Sequence, residues 1–235
     1  MEYLYYPGCT LVDTARSFDR CGRAAARALD VELVEMPDWT CCGTTFPLTN
    51  RKIVGLVAPV RTLVNARREG YEELLTLCSF CYNVLKRANY AVRNRGDERM
   101  RINAYLEDEF VRAGQEYDEY EGEVEVVHLL EVLRDTVGFE SVAAQVTRSL
   151  TDLKVAPYYG CLLLRPQSEI GLDDADEPTV LEDLLGALGC DVIDFPHRVE
   201  CCGSYLGLSS PDIALQNSYE IVHTASRLGA DVLAV

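Results

Sequence analysis

The sequence of 235 residues has no long apolar run and little positive charge. No stretch reaches the roughly 18 consecutive apolar residues that cross a membrane as a helix. The first residues also lack the basic and then apolar pattern of a signal peptide. The formal net charge of −16 argues against nucleic-acid binding, because contacts with phosphates need a basic surface. These absences predict a soluble, cytoplasmic protein without a membrane span or a nucleic-acid partner.

The sequence also lacks a glycine-rich fingerprint for a flavin or a nicotinamide nucleotide, so any electrons that it handles must come from partner proteins. It is nevertheless rich in cysteine, with ten residues. The cytosol keeps thiols reduced. A set of this size without an export signal therefore indicates metal or redox chemistry rather than a framework of disulfides.

Two adjacent cysteines followed by a glycine occur twice, as Cys41-Cys42-Gly43 and Cys201-Cys202-Gly203. Successive side chains of a strand point to opposite faces, so neighbouring thiols can converge on one ligand only from a turn. Glycine favours such a turn, because it tolerates positive φ and lets the backbone approach closely. The sequence therefore predicts two turns, each aiming two thiols at a group that binds several sulfurs.

Strand and helix patterns alternate along the chain and then start again. The predicted strands are residues 3–6, 31–36, 74–77, 124–127, 153–159, 191–195 and 231–235. The alternation predicts an α/β fold, and the repetition predicts two tandem, pseudo-symmetric modules. Each module is expected to contain a small parallel sheet with flanking helices and with cysteines at the strand ends. We place the first module at residues 1–127, and a helical connector with the second module at 128–235.

Three local predictions concern the segments between these strands. Thr10 is a good N-cap for a helix of about twenty residues whose inward stripe includes Leu11 and Phe18. A second helix is predicted from about Arg51 to Arg68. The acidic, tyrosine-rich residues 115–123 are predicted to form an exposed connector.

The first module carries the cysteine pattern C-x31-CC-x35-C-x2-C, formed by Cys9, Cys41, Cys42, Cys78 and Cys81. Each of these cysteines lies at the end of a predicted strand or at the start of a predicted helix. Such positions gather on one edge of a parallel sheet, where α/β proteins bind their ligands. Helix N-termini at that edge would also lower the pKa of a thiol.

The second module contains Cys161, then 39 residues, and then Cys201-Cys202. A complete repeat would continue with a Cys-x-x-Cys at about position 236, so the second set is incomplete in this chain. Cys21 and Cys190 lie outside the repeat and are expected to be small buried hydrophobic residues.

Zinc is the main alternative for the first module, because Cys41, Cys42, Cys78 and Cys81 could form a tetrahedral site. It would leave Cys9 unexplained and would strain the vicinal pair.

Two of the histidines, His128 and His223, lie in predicted helical segments and are expected to be structural. His197 lies nearer the second CCG turn and could donate a hydrogen bond to a substrate or cluster.

These motifs resemble the cysteine-rich (CCG) domain of the B subunit of heterodisulfide reductase, over essentially the whole chain. The resemblance is carried by four segments, which are Tyr6-Pro7-Gly8-Cys9-Thr10-Leu11, residues 37–43, residues 158–162 and residues 195–204. The CCG pair alone is shared with iron–sulfur proteins that oxidise lactate or glycolate. The tyrosine-flanked segments are more specific to the heterodisulfide reductase family.

The resemblance implies that a complete module holds a non-cubane [4Fe-4S] cluster through five cysteines. It assigns the first cluster to Cys9, Cys41, Cys42, Cys78 and Cys81, and a second, two ligands short, to Cys161, Cys201 and Cys202. In this family, two clusters flank a mixed disulfide of two anionic thiol coenzymes (CoM-S-S-CoB, from methanogenesis). They reduce it with one electron from each side.

The resemblance also implies partners, namely a ferredoxin-like protein (the C subunit of such a complex) and a flavin-containing protein (its A subunit). Because the substrate is anionic, a cation is expected to meet it, and the catalytic candidates are His197 and Arg198, with Arg165 as a further candidate. Two other functions stay open. One is an electron-transfer subunit of an organic-acid or quinol oxidoreductase, and the other is a zinc-stabilised interaction module.

Overall fold

The structure is a computed structural model that describes residues 1–44 and 53–235. The described residues divide into two compact units, Met1–Leu129 and Leu130–Val235. Each unit contains a parallel sheet flanked by helices, which confirms the predicted α/β class and the two repeated modules. No helix in the described ranges is both long and apolar enough to cross a membrane.

The first unit is built on a parallel sheet whose strand order is β2-β1-β3-β4. Leu4 and Leu74 on neighbouring strands are paired and fully buried, as expected for a parallel sheet that is covered by helices. The described elements are β1 (Glu2–Tyr5), α1 (Gly8–Val12), α2 (Arg16–Ala28), β2 (Glu32–Glu35), α3 (Val54–Arg68), β3 (Glu73–Thr76), α4 (Ser79–Asn94), α5 (Gly96–Arg112) and β4 (Glu125–His128).

The second unit, all of whose residues are described, contains a parallel sheet with the order β6-β5-β7. Its core includes Ala156 and Phe195, packed against Ile221 of the last helix. After α6 (Leu129–Glu131) the elements are a π-helix (Val132–Val137), α7 (Phe139–Ala144), β5 (Lys154–Pro157), α8 (Gln167–Ile170), α9 (Val180–Ala187), β6 (Asp191–Val192), a short 3-10 helix (Ser204–Leu206), α10 (Pro211–Arg227) and β7 (Val232–Ala234).

The two sheets share one pairing scheme. The first strand of each unit, β1 or β5, lies between the second and third strands of that unit. The residue after each central strand continues the pairing: the Tyr6 N–H donates to Leu75 O (2.8 Å), and the Tyr158 N–H donates to Ala234 O (2.7 Å). Tyr6 and Tyr158 therefore occupy equivalent positions in the repeat.

The helix expected after Thr10 is wrong in its length and in its inward face. Thr10 lies inside α1, and the chain turns at residues 13–15 before α2 begins. Phe18 is 48% exposed, whereas Gly22 and Ala26 face the interior. Small residues are required on this face, because a Cβ at Gly22 would lie 2.1 Å from the Leu77 Cδ2 atom. Cys21, next to Gly22 in the chain, is exposed, so the expectation that it is buried is also wrong.

The helix predicted from about Arg51 corresponds to α3, which begins at Val54; Arg51 itself lies outside the described residues.

His128 was expected in a helix, but it is the last residue of strand β4 and is buried. Its Nε2 is 3.1 Å from Leu77 O, and its ring meets the edge of Tyr82. The expected structural role therefore agrees with its contacts, although its secondary structure differs.

The connector at residues 115–123 is exposed for most of its length but is pinned at Tyr120, which has 0% exposure. The Tyr120 hydroxyl donates to Asn89 Oδ1 (2.8 Å) and accepts from the Val124 N–H (3.3 Å). Asn103 Oδ1 accepts from the Tyr120 N–H at 2.8 Å. Buried polar groups must find partners, so this network, absent from the hydrophobic pattern, ties the connector to α4 and α5.

We expect Tyr120→Phe to lower the free energy of unfolding by about 1–2 kcal/mol, because it leaves Asn89 and the Val124 N–H without this buried partner. Urea denaturation measures the loss. The matched control is Tyr105→Phe, at a residue that is 52% exposed, which should change stability by less than about 0.5 kcal/mol. Equal effects from the two substitutions would contradict the buried network.

We expect stability to fall by about 2 kcal/mol between pH 7 and pH 5 through His128. Burial lowers the pKa of His128 from 6.5 to about 4, so in this window the unfolded chain binds a proton that the folded chain does not. The contribution is complete above pH 6.5 and is lost as the pH falls towards 4. His128→Gln, whose amide can donate to Leu77 O, should flatten the pH dependence measured by urea denaturation. An unchanged slope would rule out this residue as its source.

Candidate functional site

The predicted cysteines of the first unit lie at the carboxyl ends of its parallel strands. Cys9 follows β1 and belongs to the first turn of α1, and the vicinal pair follows β2. Cys78 follows β3 as the N-cap residue of α4, with extended backbone, and Cys81 lies in the first turn of that helix. Parallel strands place these ends at one edge of the sheet, so loops that are distant in sequence meet there.

The structure places four of these five thiols around Tyr6, and the fifth, that of Cys78, next to Cys81. The Sγ atoms of Cys9 and Cys41 are 4.0 Å apart, and the Cys81 thiol is hydrogen-bonded to both Cys42 and Cys78. The pKa of Tyr6 is raised first by burial and then by the negative charge of the surrounding sulfurs, which are those of Cys81, Cys42, Cys41 and Cys9.

Gly8 makes this close approach possible. A Cβ at Gly8 would lie 2.7 Å from the Cys81 Sγ atom and 3.4 Å from the Tyr6 ring, and the residue has a φ of +71°. Gly43, which ends the vicinal pair, has a φ of +87°. These are backbone conformations that glycine adopts without steric cost, as the CCG motif predicts for its own glycine.

Hydrogen bonds among the buried thiols lower the pKa values of two of them and raise the pKa of the third. The hydrogen bond from Cys81 is the largest cause that lowers the pKa of Cys42 to about 7 and that of Cys78 to about 6. The N–H groups of Cys81 and Phe80 at the start of α4 lower the pKa of Cys78 further. Cys81 itself, next to Cys42 and Cys78 and buried, has a raised pKa. Cys81 therefore keeps its proton to a higher pH than its two neighbours.

The thiols differ in their access to solvent. Cys42 and Cys81 are 2% and 3% exposed, whereas Cys9 and Cys41 are exposed. Within residues 1–44 and 53–235, no group of three or more His, Cys, Asp or Glu side chains is arranged to hold a single metal ion. The sulfurs form a pair, Cys9 with Cys41, and a chain from Cys42 through Cys81 to Cys78. Thiolates are the ligands that iron–sulfur clusters and zinc prefer, so the type of donor suits either group.

The second unit brings its three predicted cysteines together in the same way. The Sγ atoms of Cys161 and Cys201 are 3.4 Å apart, and the Gly203 N–H is 3.4 Å from the Cys201 sulfur. Burial, followed by the neighbouring Cys201, raises the pKa of Cys161 to about 12. The hydroxyl of Tyr158 lies beside Cys202. This set consists of thiol donors, as the first does, but has three of them instead of five.

Helix α10 supports the second vicinal pair. The Asn217 side chain donates to Cys201 O (3.3 Å) and the Ser218 hydroxyl donates to Cys202 O (3.4 Å). A Cβ at Gly203, where φ is +74°, would lie 3.3 Å from the Ala214 Cα atom. The second CCG glycine therefore allows close packing of the turn against this helix.

His197 and Arg198 are held by contacts within the second unit. The His197 Nδ1 atom is 2.7 Å from Glu200 Oε2, and its Nε2 atom is 3.2 Å from Thr224 Oγ1. The Arg198 guanidinium pairs with Glu182 at 3.7 Å and with Asp194 at 3.6 Å. Their catalytic roles stay predictions.

Arg198 also contributes its backbone, because its carbonyl accepts the N–H groups of Tyr159 (2.8 Å) and Gly160 (3.2 Å). Arg165, the further cation considered, donates to Asp176 at 2.6 Å. These contacts stabilise the loops that carry the cysteines of the second unit.

Tyr6 and Tyr158 belong to the site although the cysteine spacing did not assign them a role. Their hydroxyl groups donate to Thr40 O (2.5 Å) and to Glu200 O (2.7 Å), the carbonyls that precede the two vicinal pairs. Trp39 packs its ring against the Tyr6 ring with centroids 5.7 Å apart. The available signal was the shared tyrosine three residues before Cys9 and before Cys161.

Comparison with known proteins identifies relatives that match most of the chain. The family profile of the CCG cysteine-rich domain matches residues 3–86 and 155–235. The chain is 33% identical over 96% of its length to the 8-methylmenaquinol:fumarate reductase membrane anchor subunit of Wolinella succinogenes. It is 29% identical over 87% of its length to the B subunit of the ferredoxin/F(420)H(2)-dependent CoB-CoM heterodisulfide reductase of Methanosarcina acetivorans. The B subunit of the ferredoxin:CoB-CoM heterodisulfide reductase of Methanosarcina mazei is 26% identical over 86% of the chain.

The chain spans 75% of the length of the Wolinella protein, and 66% and 65% of the lengths of the two Methanosarcina proteins. A crystal structure of a hypothetical protein from Helicobacter pylori matches 99% of this chain with a TM-score of 0.71, and the match covers 40% of that protein. At 12% identity it supports the fold alone. The resemblance to the B subunit of heterodisulfide reductase is confirmed by the Methanosarcina relatives, and the chain belongs to the CCG family of cysteine-rich domain proteins, with two copies of the domain.

Proposed function

We propose that the chain is the iron–sulfur, disulfide-reducing subunit of a heterodisulfide-reductase-type complex. The observation that carries this proposal is the convergence of five thiols at one edge of the first sheet, where Tyr6 lies beside four of them. Relatives named as B subunits of heterodisulfide reductases support the choice of a disulfide as substrate. The reaction would convert a disulfide such as CoM-S-S-CoB into two thiols.

The residues that would hold the clusters follow from the two sets of thiols. Cys9, Cys41, Cys42, Cys78 and Cys81 would bind a cluster in the first unit; Cys161, Cys201 and Cys202 would contribute to one in the second. A bound cluster of the proposed non-cubane [4Fe-4S] type supplies electrons one at a time, and a disulfide needs two. Since a complete site of this type would use five cysteines, the three thiols of the second unit would supply part of such a set.

The pKa differences among the thiols indicate where protons are lost on loading. Metals bind thiolates, so a thiol must release its proton first. Cys78, with a pKa of about 6, is already a thiolate at neutral pH, whereas Cys81 has a raised pKa and must release its proton. A substrate would arrive from the side of Cys9 and Cys41, because these two cysteines are exposed whereas Cys42 and Cys81 are buried.

Electron-donating partners would be needed, because the sequence contains no nucleotide or flavin fingerprint. We assign this role to a ferredoxin-like C subunit and a flavin-containing A subunit in the cytoplasm. The acidic net charge of −16 would steer basic rather than acidic partner surfaces towards the chain.

A second candidate function is supported by the Wolinella relative, which is named as part of a quinol:fumarate reductase. In that case the same thiols would hold clusters that carry electrons between a quinol and fumarate, without acting on a disulfide. The two candidates share the cluster-binding cysteines and differ in the molecule that the electrons reach.

We expect anaerobically purified protein to contain about four irons and four acid-labile sulfides per chain if only the first site is filled, and about eight of each if both are. Cys81→Ser should remove most of the iron and sulfide of the first site, because Cys81 lies between two of the other sulfurs. Cys21→Ser, at an exposed cysteine outside the site, is the matched control and should leave both unchanged. Zinc without sulfide would instead indicate the zinc-stabilised module.

We expect the iron-loaded chain to oxidise reduced methyl viologen in the presence of CoM-S-S-CoB, with two viologens consumed for each disulfide, because each viologen donates one electron. Fumarate with a menaquinone analogue serves as the alternative acceptor in the same assay. Oxidation with the quinone system and none with the disulfide would favour the second candidate.

A further inference from the structure

The two tyrosines at equivalent positions, Tyr6 and Tyr158, make the same contact in both units. Each lies three residues before the first cysteine of its unit, and each donates its backbone N–H to the third strand of its sheet. Each hydroxyl then reaches the carbonyl immediately before the vicinal pair, which is Thr40 O at 2.5 Å or Glu200 O at 2.7 Å. The contact joins residues 34 and 42 positions apart, respectively.

This contact occurs in a part of the chain that has little regular structure of its own. Residues 37–43 and 196–203 lie outside helices and strands, so their backbone groups are not bonded in a sheet ladder. Outside a ladder a backbone carbonyl needs another donor, and the phenol hydroxyl supplies one here, in contacts that are partly buried. Tyr6 is 0% exposed and Tyr158 is 9% exposed, so neither ring is free to move away.

The neighbouring glycines leave room for these rings. A Cβ at Gly8 would lie 3.4 Å from the Tyr6 ring, and a Cβ at Gly160 would lie 3.3 Å from the Tyr158 ring. Both distances are short for a carbon–carbon contact. The Tyr-x-Gly-Cys segment therefore combines a ring, the space for it and the first thiol in one short stretch.

Burial alone does not explain the contact, because each unit has an equally buried tyrosine next to it that bonds elsewhere. Tyr5 is 0% exposed and donates to Asp19 Oδ1 on α2 at 2.7 Å. Tyr159 is 4% exposed and donates to Glu182 on α9. Only the tyrosine three residues before the cysteine points its hydroxyl at the vicinal-cysteine turn.

We propose that Tyr6 and Tyr158 are positioning residues that hold the two vicinal-cysteine turns in the shape that presents their thiols to a cluster. The inference rests on the proposed function for the identity of the cluster, whereas the shape of the turn is a property of the metal-free chain. In the first unit this contact keeps Cys42 buried beside Cys81. In the second unit it places the tyrosine hydroxyl beside Cys202.

The test compares Tyr6→Phe with Tyr5→Phe in the full chain, because each removes one hydroxyl from a fully buried ring. In metal-free protein, the alkylation rate of Cys42 by iodoacetamide, measured by mass spectrometry, should rise about tenfold in Tyr6→Phe and change less than about twofold in Tyr5→Phe. Urea denaturation shows whether the two substitutions cost similar stability. Equal alkylation of Cys42 in the two variants would overturn the proposal.

The loaded protein supplies a second readout. Tyr6→Phe should change the electron paramagnetic resonance spectrum of the reconstituted cluster, while Tyr5→Phe should leave it unchanged. Identical spectra for Tyr6→Phe and the unsubstituted chain would count against the positioning role. If the unsubstituted chain takes up no iron and sulfide, the proposed function fails, and the alkylation of Cys42 still decides the inference.

The second unit repeats the experiment independently, which keeps the proposal testable if Tyr6→Phe does not fold. Tyr158→Phe should raise the alkylation rate of Cys202 by about tenfold in metal-free protein, with Tyr159→Phe as the matched control. No difference between these two variants at Cys202 would overturn the proposal for the second unit.

Discussion

Parallel pairing of each unit's first strand with its second and third strands is the constraint on which the site depends. Parallel strands end at the same edge, so segments separated by more than 30 residues deliver their cysteines to one place. The helices that follow the strands start at this edge and direct N–H groups towards it, as α4 does at Cys78. A sulfur-rich site is thus a product of the sheet rather than of any single motif.

The site also requires neighbouring atoms to pack closely against the backbone, and glycine permits this in both units. Gly8 admits the Cys81 sulfur, and Gly203 admits the backbone of α10. The resulting packing brings buried thiols into hydrogen-bonding contact with one another, which shifts their pKa values in opposite directions. One protonated thiol, Cys81, between two thiols of lowered pKa limits the negative charge that the metal-free site must bear.

Much of the fold could be predicted from the sequence, because the apolar residues of a strand and the turn residues that follow it are close together in the chain. The α/β class and the repeat follow from such patterns. The tyrosine contacts could not be predicted in this way, since Tyr6 meets a carbonyl 34 residues away. Similarly, Tyr120 is buried by partners on two helices, and the close packing of Gly22 against Leu77 sets the inward face of α2. These depend on tertiary packing that no local pattern contains.

The short distances between paired sulfur atoms have a consequence for the metal-free chain. Cys9 and Cys41 are 4.0 Å apart, and Cys161 and Cys201 are 3.4 Å apart. In air, loss of two electrons and two protons would join either pair as a disulfide, removing two donors at once. A bound metal would coordinate the same sulfurs and prevent the disulfide from forming. Exposure of the metal-free chain to air would therefore remove donors from the site before a metal is bound.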